Sequence, residues 1–176
     1  MPRGVTGFEA VPTDLTEVSV AVDTYRVSSA PMLLTAELRG ALALCLHDEG
    51  RGVGGLLHLH FADGSGRPAE VTDNTLSCVL VVLDRFKREV LGASARTGEV
   101  HARVLAHALP VEGGAGPGAS LVDLIKADLA DGRLTCGAQI LRRTGSVRVH
   151  FEPFAGRVWI SGPQDARTES RRRRGL

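Results

Sequence analysis

Residues 35–61 read TAELRGALALCLHDEGRGVGGLLHLHF. Two apolar runs, residues 41–46 and 53–61, flank the polar segment His47-Asp48-Glu49-Gly50-Arg51-Gly52. Short apolar runs joined by a glycine-bearing turn read as an antiparallel β-hairpin. A turn over Asp48 to Arg51 sets Ala41 opposite His58 and Cys45 opposite Gly54. The stretch also carries one cysteine, Cys45, and three histidines, His47, His58 and His60. A thiol near an imidazole is the raw material of nucleophilic catalysis. Inside an apolar run, however, a thiol ordinarily serves as a small buried hydrophobe.

Outward from the hairpin, strand-like patterns VSVAV, YRVSS and MLL begin at Glu17, and residues 1–16 read as a flexible arm. FADGSGRP is a loop. Leu76, Val79, Leu80, Leu83, Phe86, Val90 and Leu91 then recur at helical spacing, with Thr72 or Asp73 able to cap the start and Gly92 placed as a left-handed C-cap. A strand follows near residues 100–106, then the connector EGGAGPGAS. A second helix, from about residue 119 to 130, places Leu121, Leu124, Ile125 and Leu129 on one side and ends at Gly132. Strands near residues 134–141, 146–151 and 157–160 complete a domain spanning residues 17–162. The pattern predicts an α+β fold, a layered sandwich of mainly antiparallel strands with two main flanking helices. Residues 163–176, ending in four arginines and Gly-Leu, read as a disordered basic tail.

Composition narrows the function. The 176-residue chain is 43% hydrophobic, which supports one domain with a real core. Lys+Arg of 21 against Asp+Glu of 20 leaves a net charge of +1, and only 4% of residues are aromatic. That balance gives no electrostatic or stacking surface for nucleic acid. The N-terminus has no apolar signal segment, and no run approaches the ~20 apolar residues of a membrane helix. The three cysteines, Cys45, Cys78 and Cys136, form no C-x-x-C pair, so a reduced, cytoplasmic location is expected.

Other motifs are weak. His58 and His60 form H-x-H on a strand, where alternation puts both rings on one face, one way to hold a metal. No third ligand is signalled by His47, His101, His107 or His150. GRGVGG and EGGAGPG lack the phosphate-loop and dinucleotide patterns, and no G-x-S-x-G elbow is present.

The same hairpin resembles the CheD family, the chemoreceptor glutamine deamidases of bacterial chemotaxis. That family carries T-x-G-x-G-S-C-V-A-V-C-L-x-D followed by G-x-A-H; here the corresponding text is TAELRGALALCLHD and GGLLH. The shared ending aligns Cys45 with the family's second, non-catalytic cysteine and Ala41 with its nucleophile. Thr35 and His58 match the other two members of the Cys-His-Thr triad, and six and seventeen residues separate them from Ala41, as in the family. VTDNTL (matching at Asp73), HARVLAHAL, GPGASLVDLIKADL and VHFEPFAGRVW resemble later family segments in order. The departures cluster at the chemistry. G-S-C becomes Arg39-Gly40-Ala41, Gly-Gly becomes Ala106-His107, and G-G-N-x-G-R becomes residues 142–147, RRTGSV.

The resemblance implies a chemotaxis protein that needs no cofactor and no metal. Its expected partners are methyl-accepting chemoreceptors and a CheC-like phosphatase, with neither nucleic acid nor membrane insertion. In a deamidase the thiolate attacks the carboxamide carbon, histidine moves the proton, ammonia leaves, and water releases glutamate. The third residue orients the histidine. Alanine has no nucleophilic atom, so lost or reduced catalysis is expected. Cys45, four residues on and roughly 13 Å along the strand, is beyond the ~3 Å reach of a histidine facing Ala41. Two alternatives stay open: deamidation through Thr35 and His58 alone, and a metal-binding domain built on His58 and His60.

Overall fold

The computed structural model of the chain describes residues 10–61, 73–92, 99–108, 117–142 and 145–162. In these, β1 (Thr16–Ser19), β2 (Thr24–Ser28), β3 (Met32–Leu38), β4 (Ala41–Asp48) and β5 (Val53–His60) precede α1 (Asp73–Leu91) and β6 (Val100–Ala108). Then follow α2 (Pro117–Asp131), β7 (Cys136–Arg142), β8 (Val147–Glu152) and β9 (Arg157–Ser161). The expected arm and tail fall mostly outside the described residues, as do the FADGSGRP loop beyond Phe61 and most of EGGAGPGAS.

The strands form a four-stranded sheet, β1-β3-β8-β9, and a five-stranded sheet, β2-β5-β4-β6-β7. Only β1–β3 and β6–β7 pair in parallel; the other pairs are antiparallel. The expected α+β sandwich of mainly antiparallel strands with two flanking helices is therefore the observed architecture. Among the described residues no helix is long and apolar enough to cross a membrane.

Strand β4 explains the layering. Alternate side chains of a strand point to opposite faces. Leu42, Leu44 and Leu46 pack with Leu83, Phe86 and Val90 of α1 and Val122, Ile125 and Leu129 of α2. Ala41, Ala43 and Cys45 pack the other way, with Leu34, Ala36 and Leu38 of β3 and Val149 and Phe151 of β8. All eight residues of β4 are buried because they lie mid-sheet with a layer on each face. That is why this strand reads as a continuous apolar run rather than an alternation.

Two crossings carry the chain between the sheets side by side. β3 passes to β4 through Arg39 and Gly40, where φ is +60° at Gly40. Glycine adopts this left-handed backbone without a Cβ penalty. β1 passes to β2 through residues 20–23, where Asp23 is also left-handed at +60°. The crossings are tied by Val20 N–H donating to the Thr35 carbonyl (2.8 Å), Asp23 N–H to His58 (2.7 Å) and Phe61 N–H to Gly40 (2.9 Å).

Several details differ from the sequence-based expectation. The hairpin register is shifted by two residues: Ala43, not Ala41, is opposite His58, and Cys45 is opposite Leu56 rather than Gly54. The cause is the turn. Asp48 pairs with Val53, so the loop is Glu49 to Gly52, with Gly52 left-handed at +61°. The loop keeps the expected four residues but sits one residue later, and the Asp48 carboxylate accepts the Arg51 N–H at 3.2 Å and holds it closed. Leu80 lies off the buried stripe of α1, and Val82 packs in its stead. The second helix starts at Pro117, a residue suited to the first helical position because its missing N–H is not needed there. Gly92 ends α1 at φ +57° as expected, whereas after α2 the left-handed residue is Arg133, not Gly132.

Candidate active site

Through Val20 and Asp23 the β1–β2 crossing closes on His58. This residue of β5 is 6% exposed and shares the inter-sheet face with Leu56. Its Nδ1–H donates to the Val20 carbonyl at 2.9 Å. With Nδ1 protonated, Nε2 of the neutral ring is the accepting nitrogen. That Nε2 is buried and has no hydrogen-bond partner. A fixed imidazole with its basic nitrogen uncommitted is the arrangement of a general base awaiting a proton donor.

Ala41 occupies the neighbouring position on β4. It is opposite His60, and Ala43 is opposite His58, so Ala41 and His58 are one diagonal step apart on the same face. Such neighbours lie about 7–8 Å apart, within reach of a long side chain. On its other side Ala41 is directly opposite His107 of β6, which is fully buried. The ring of His107 therefore shares the face and row of the Ala41 methyl. Two of the resemblance's departures, alanine at the nucleophile position and histidine at a glycine position, are thus one spatial feature.

Thr35 is connected to His58 through its backbone. Its carbonyl receives the Val20 N–H, and the Val20 carbonyl in turn receives His58 Nδ1–H. The Thr35 side chain points the other way, to the outer face of the four-stranded sheet, where Oγ1 accepts from Arg148 Nη2 at 3.4 Å. The group touching the imidazole is therefore a main-chain carbonyl. A carbonyl leaves no mark on side-chain identity, so sequence reading missed it. The place of His107 was missed for a different reason: it depends on the β4–β6 register.

Cys45 is also one diagonal step from His58, on the side away from Ala41, so the expected separation by distance does not hold. Its environment keeps it inert. The thiol is buried between the sheets, and burial pushes its pKa up to about 12 against a lowering effect of Arg103. A nucleophilic thiol needs the opposite shift. Cys136 is likewise pushed up by burial, while Cys78 is exposed.

His60 follows on the same face as His58 but at the solvent edge. Its Nδ1 pairs with Asp23 Oδ2 at 2.6 Å, and its N–H donates to Asp23 Oδ1 at 3.2 Å. The two rings of the H-x-H motif thus engage different partners. Among the described residues no three His, Cys, Asp or Glu side chains group to hold a metal ion. Asp73 stands at the first position of α1.

No family model matches the chain. It is 24% identical over 172 residues to the probable chemoreceptor glutamine deamidase CheD 3 of Dechloromonas aromatica (strain RCB), covering 96% of this chain and 100% of that protein. It is 24% identical over 138 residues to the probable chemoreceptor glutamine deamidase CheD of Thiobacillus denitrificans (strain ATCC 25259 / T1), covering 77% of this chain and 68% of that protein. The namesake protein of Burkholderia orbicola (strain MC0-3) is 23% identical over 145 residues, 81% of this chain and 59% of its own length.

Proposed function

We propose that this chain, 23–24% identical to the curated CheD proteins, is a CheD-family cytoplasmic chemotaxis protein that binds methyl-accepting chemoreceptors without deamidating them. The observation that carries the reading is the pair Ala41 and His107. The position that resembles the family's nucleophile bears a methyl group, and the position directly opposite bears a buried imidazole. Without a thiol no acyl-enzyme forms, and the amide carbon meets no activated nucleophile. Binding needs surface and shape rather than a thiol, so receptor recognition, and contact with a CheC-like phosphatase, are retained.

The second reading is residual deamidation. It is favoured by the orientation of His58, whose Nδ1 is fixed by the Val20 carbonyl while Nε2 is uncommitted. In this reading His58 activates a water molecule directly, and Thr35 acts by holding Val20 in place.

The test uses the full chain and a glutamine-bearing chemoreceptor fragment, with conversion to glutamate read by mass spectrometry. The expected result is binding without conversion. Ala41→Cys restores only slow conversion, and Ala41→Cys with His107→Gly restores more, because the second change reopens the space beside the thiol. Gly40 is kept, since its left-handed backbone disfavours the family's serine. Conversion by the unmodified chain, lost on His58→Ala, establishes the second reading and overturns the first.

A further inference from the structure

The outer face of the four-stranded sheet, turned away from Ala41 and His58, carries a second set of reactive groups. His150 of β8 is 6% exposed and is directly opposite Thr35 on one side and Trp159 on the other. Its Nε2 lies 2.9 Å from Ser161 Oγ of β9. Its Nδ1 is buried without a hydrogen-bond partner, and Glu17 Oε1 of β1 is 3.7 Å away. Arg148 is the register partner of Ser161 and donates from Nη2 to Glu17 Oε2 at 3.0 Å and to Thr35 Oγ1 at 3.4 Å.

We propose that Ser161, His150 and Glu17 form an acyl-accepting serine site, which takes small carboxylic esters with Arg148 beside the carbonyl oxygen. The order is that of a hydroxyl, a base and a carboxylate that orients the base, drawn from three strands. In the tautomer with the proton on Nδ1, on the side of Glu17, Nε2 is the nitrogen that accepts from Ser161. Ser161 Oγ attacks the ester carbon and His150 Nε2 takes the hydroxyl proton. The C–O bond to the leaving alcohol breaks as the imidazolium returns that proton to it. Water then repeats the steps in reverse and releases the acid. The guanidinium of Arg148 offsets the charge that develops on the carbonyl oxygen.

Burial holds the His150 pKa below the ordinary histidine value, opposed by Glu17 and reinforced by Arg148. The base is therefore unprotonated at neutral pH. Among the described residues the other charged groups on this face are Glu37 of β3 and the ion pair of Glu152 with Arg157.

The full chain is incubated with p-nitrophenyl acetate and, separately, with an alkyl fluorophosphonate, and adducts are mapped by peptide mass spectrometry. The expected adduct is on Ser161. It is absent in Ser161→Ala, about 100-fold slower in His150→Asn, and several-fold slower in Glu17→Gln. Glu17 is 43% exposed, so its variant tests the site even where His150→Asn does not fold. No adduct at Ser161, or labelling as fast in folded His150→Asn or in Glu17→Gln as in the unmodified chain, overturns the proposal.

Discussion

Ala41 and His58 face the same inter-sheet layer one diagonal step apart, and the accepting nitrogen of His58 has no partner. Cys45 lies one diagonal step away in the opposite direction. The structure thus offers the imidazole two flanking positions, of which the one bearing a thiol is the inert one.

The first prediction follows from that contrast. In the native chain Cys45 resists alkylation by iodoacetamide, because its thiol is buried and its pKa is about 12. Exposed Cys78 reacts at an ordinary rate. Ala41→Cys introduces a thiol at a position as buried as Cys45 and equally one diagonal step from His58, so it too reacts more slowly than Cys78. Mass mapping of the labelled cysteines reads all three.

A second prediction concerns acid. Burial holds His47 below its ordinary pKa, against the raising effect of its bond to the Pro153 carbonyl, and His150 is lowered in the same way. The unfolded chain takes up protons near pH ~6.5, where the folded state does not. Stability therefore falls as pH drops through ~6.5 and continues to fall until the lower folded values are reached. Urea titrations at about pH 7.5 and about pH 5.5 measure the loss. His47→Asn retains a donor for Pro153 and makes the loss smaller.

The hairpin tip supports a third. Arg51 Nη1 donates to the carbonyls of Val90 (2.9 Å) and Leu91 (2.8 Å), and lies 3.5 Å from Asp48 Oδ2. It thereby joins the β4–β5 turn to the C-terminus of α1. The Asp48 side chain is 1% exposed and that of Arg51 37%, so the ion pair is partly screened. Arg51→Ala leaves a buried carboxylate and two helix-end carbonyls without that cation. The expected cost is about 2 kcal/mol, below that of breaking a fully buried pair. Denaturant melts measure it, and amide exchange at Gly92 reports the loosened helix end.

Two left-handed positions predict opposite signs. Gly156 has φ +67°, and a Cβ there would run into the His47 ring. Gly156→Ala therefore costs about 2–3 kcal/mol through backbone strain and overpacking. Arg133 has φ +60° just after α2, where glycine is preferred. Arg133→Gly gains about 0.5–1 kcal/mol. Thermal unfolding of the two variants separates the effects.

Most of the fold was legible because its signals are local. The continuous apolar run of β4 marks a strand covered on both faces, and the stripe Leu83, Phe86 and Val90 marks the buried side of α1. Leu80 shows the limit of that reading: it satisfies the helical period yet is 40% exposed, while Val79, Val82 and Leu83 pack on the core. The site was legible only in part. His58 and the absent thiol at residue 41 can be seen in the chain text. The hairpin register cannot, since it turns on which four residues form the loop, Glu49 to Gly52 rather than Asp48 to Arg51, a choice made by the Asp48 carboxylate accepting the Arg51 N–H.

The sequence by itself determined the element types, the family resemblance and the chemistry that residue 41 lacks, all of which are properties of residue identity and spacing along one strand. Tertiary structure decided which groups meet. It placed the Val20 carbonyl on His58, His107 beside Ala41, and the Thr35 hydroxyl on the far face with Arg148 and His150. The reason is that a strand's partners come from other strands, and a two-residue change in register alters every cross-strand neighbour while leaving each residue's face unchanged.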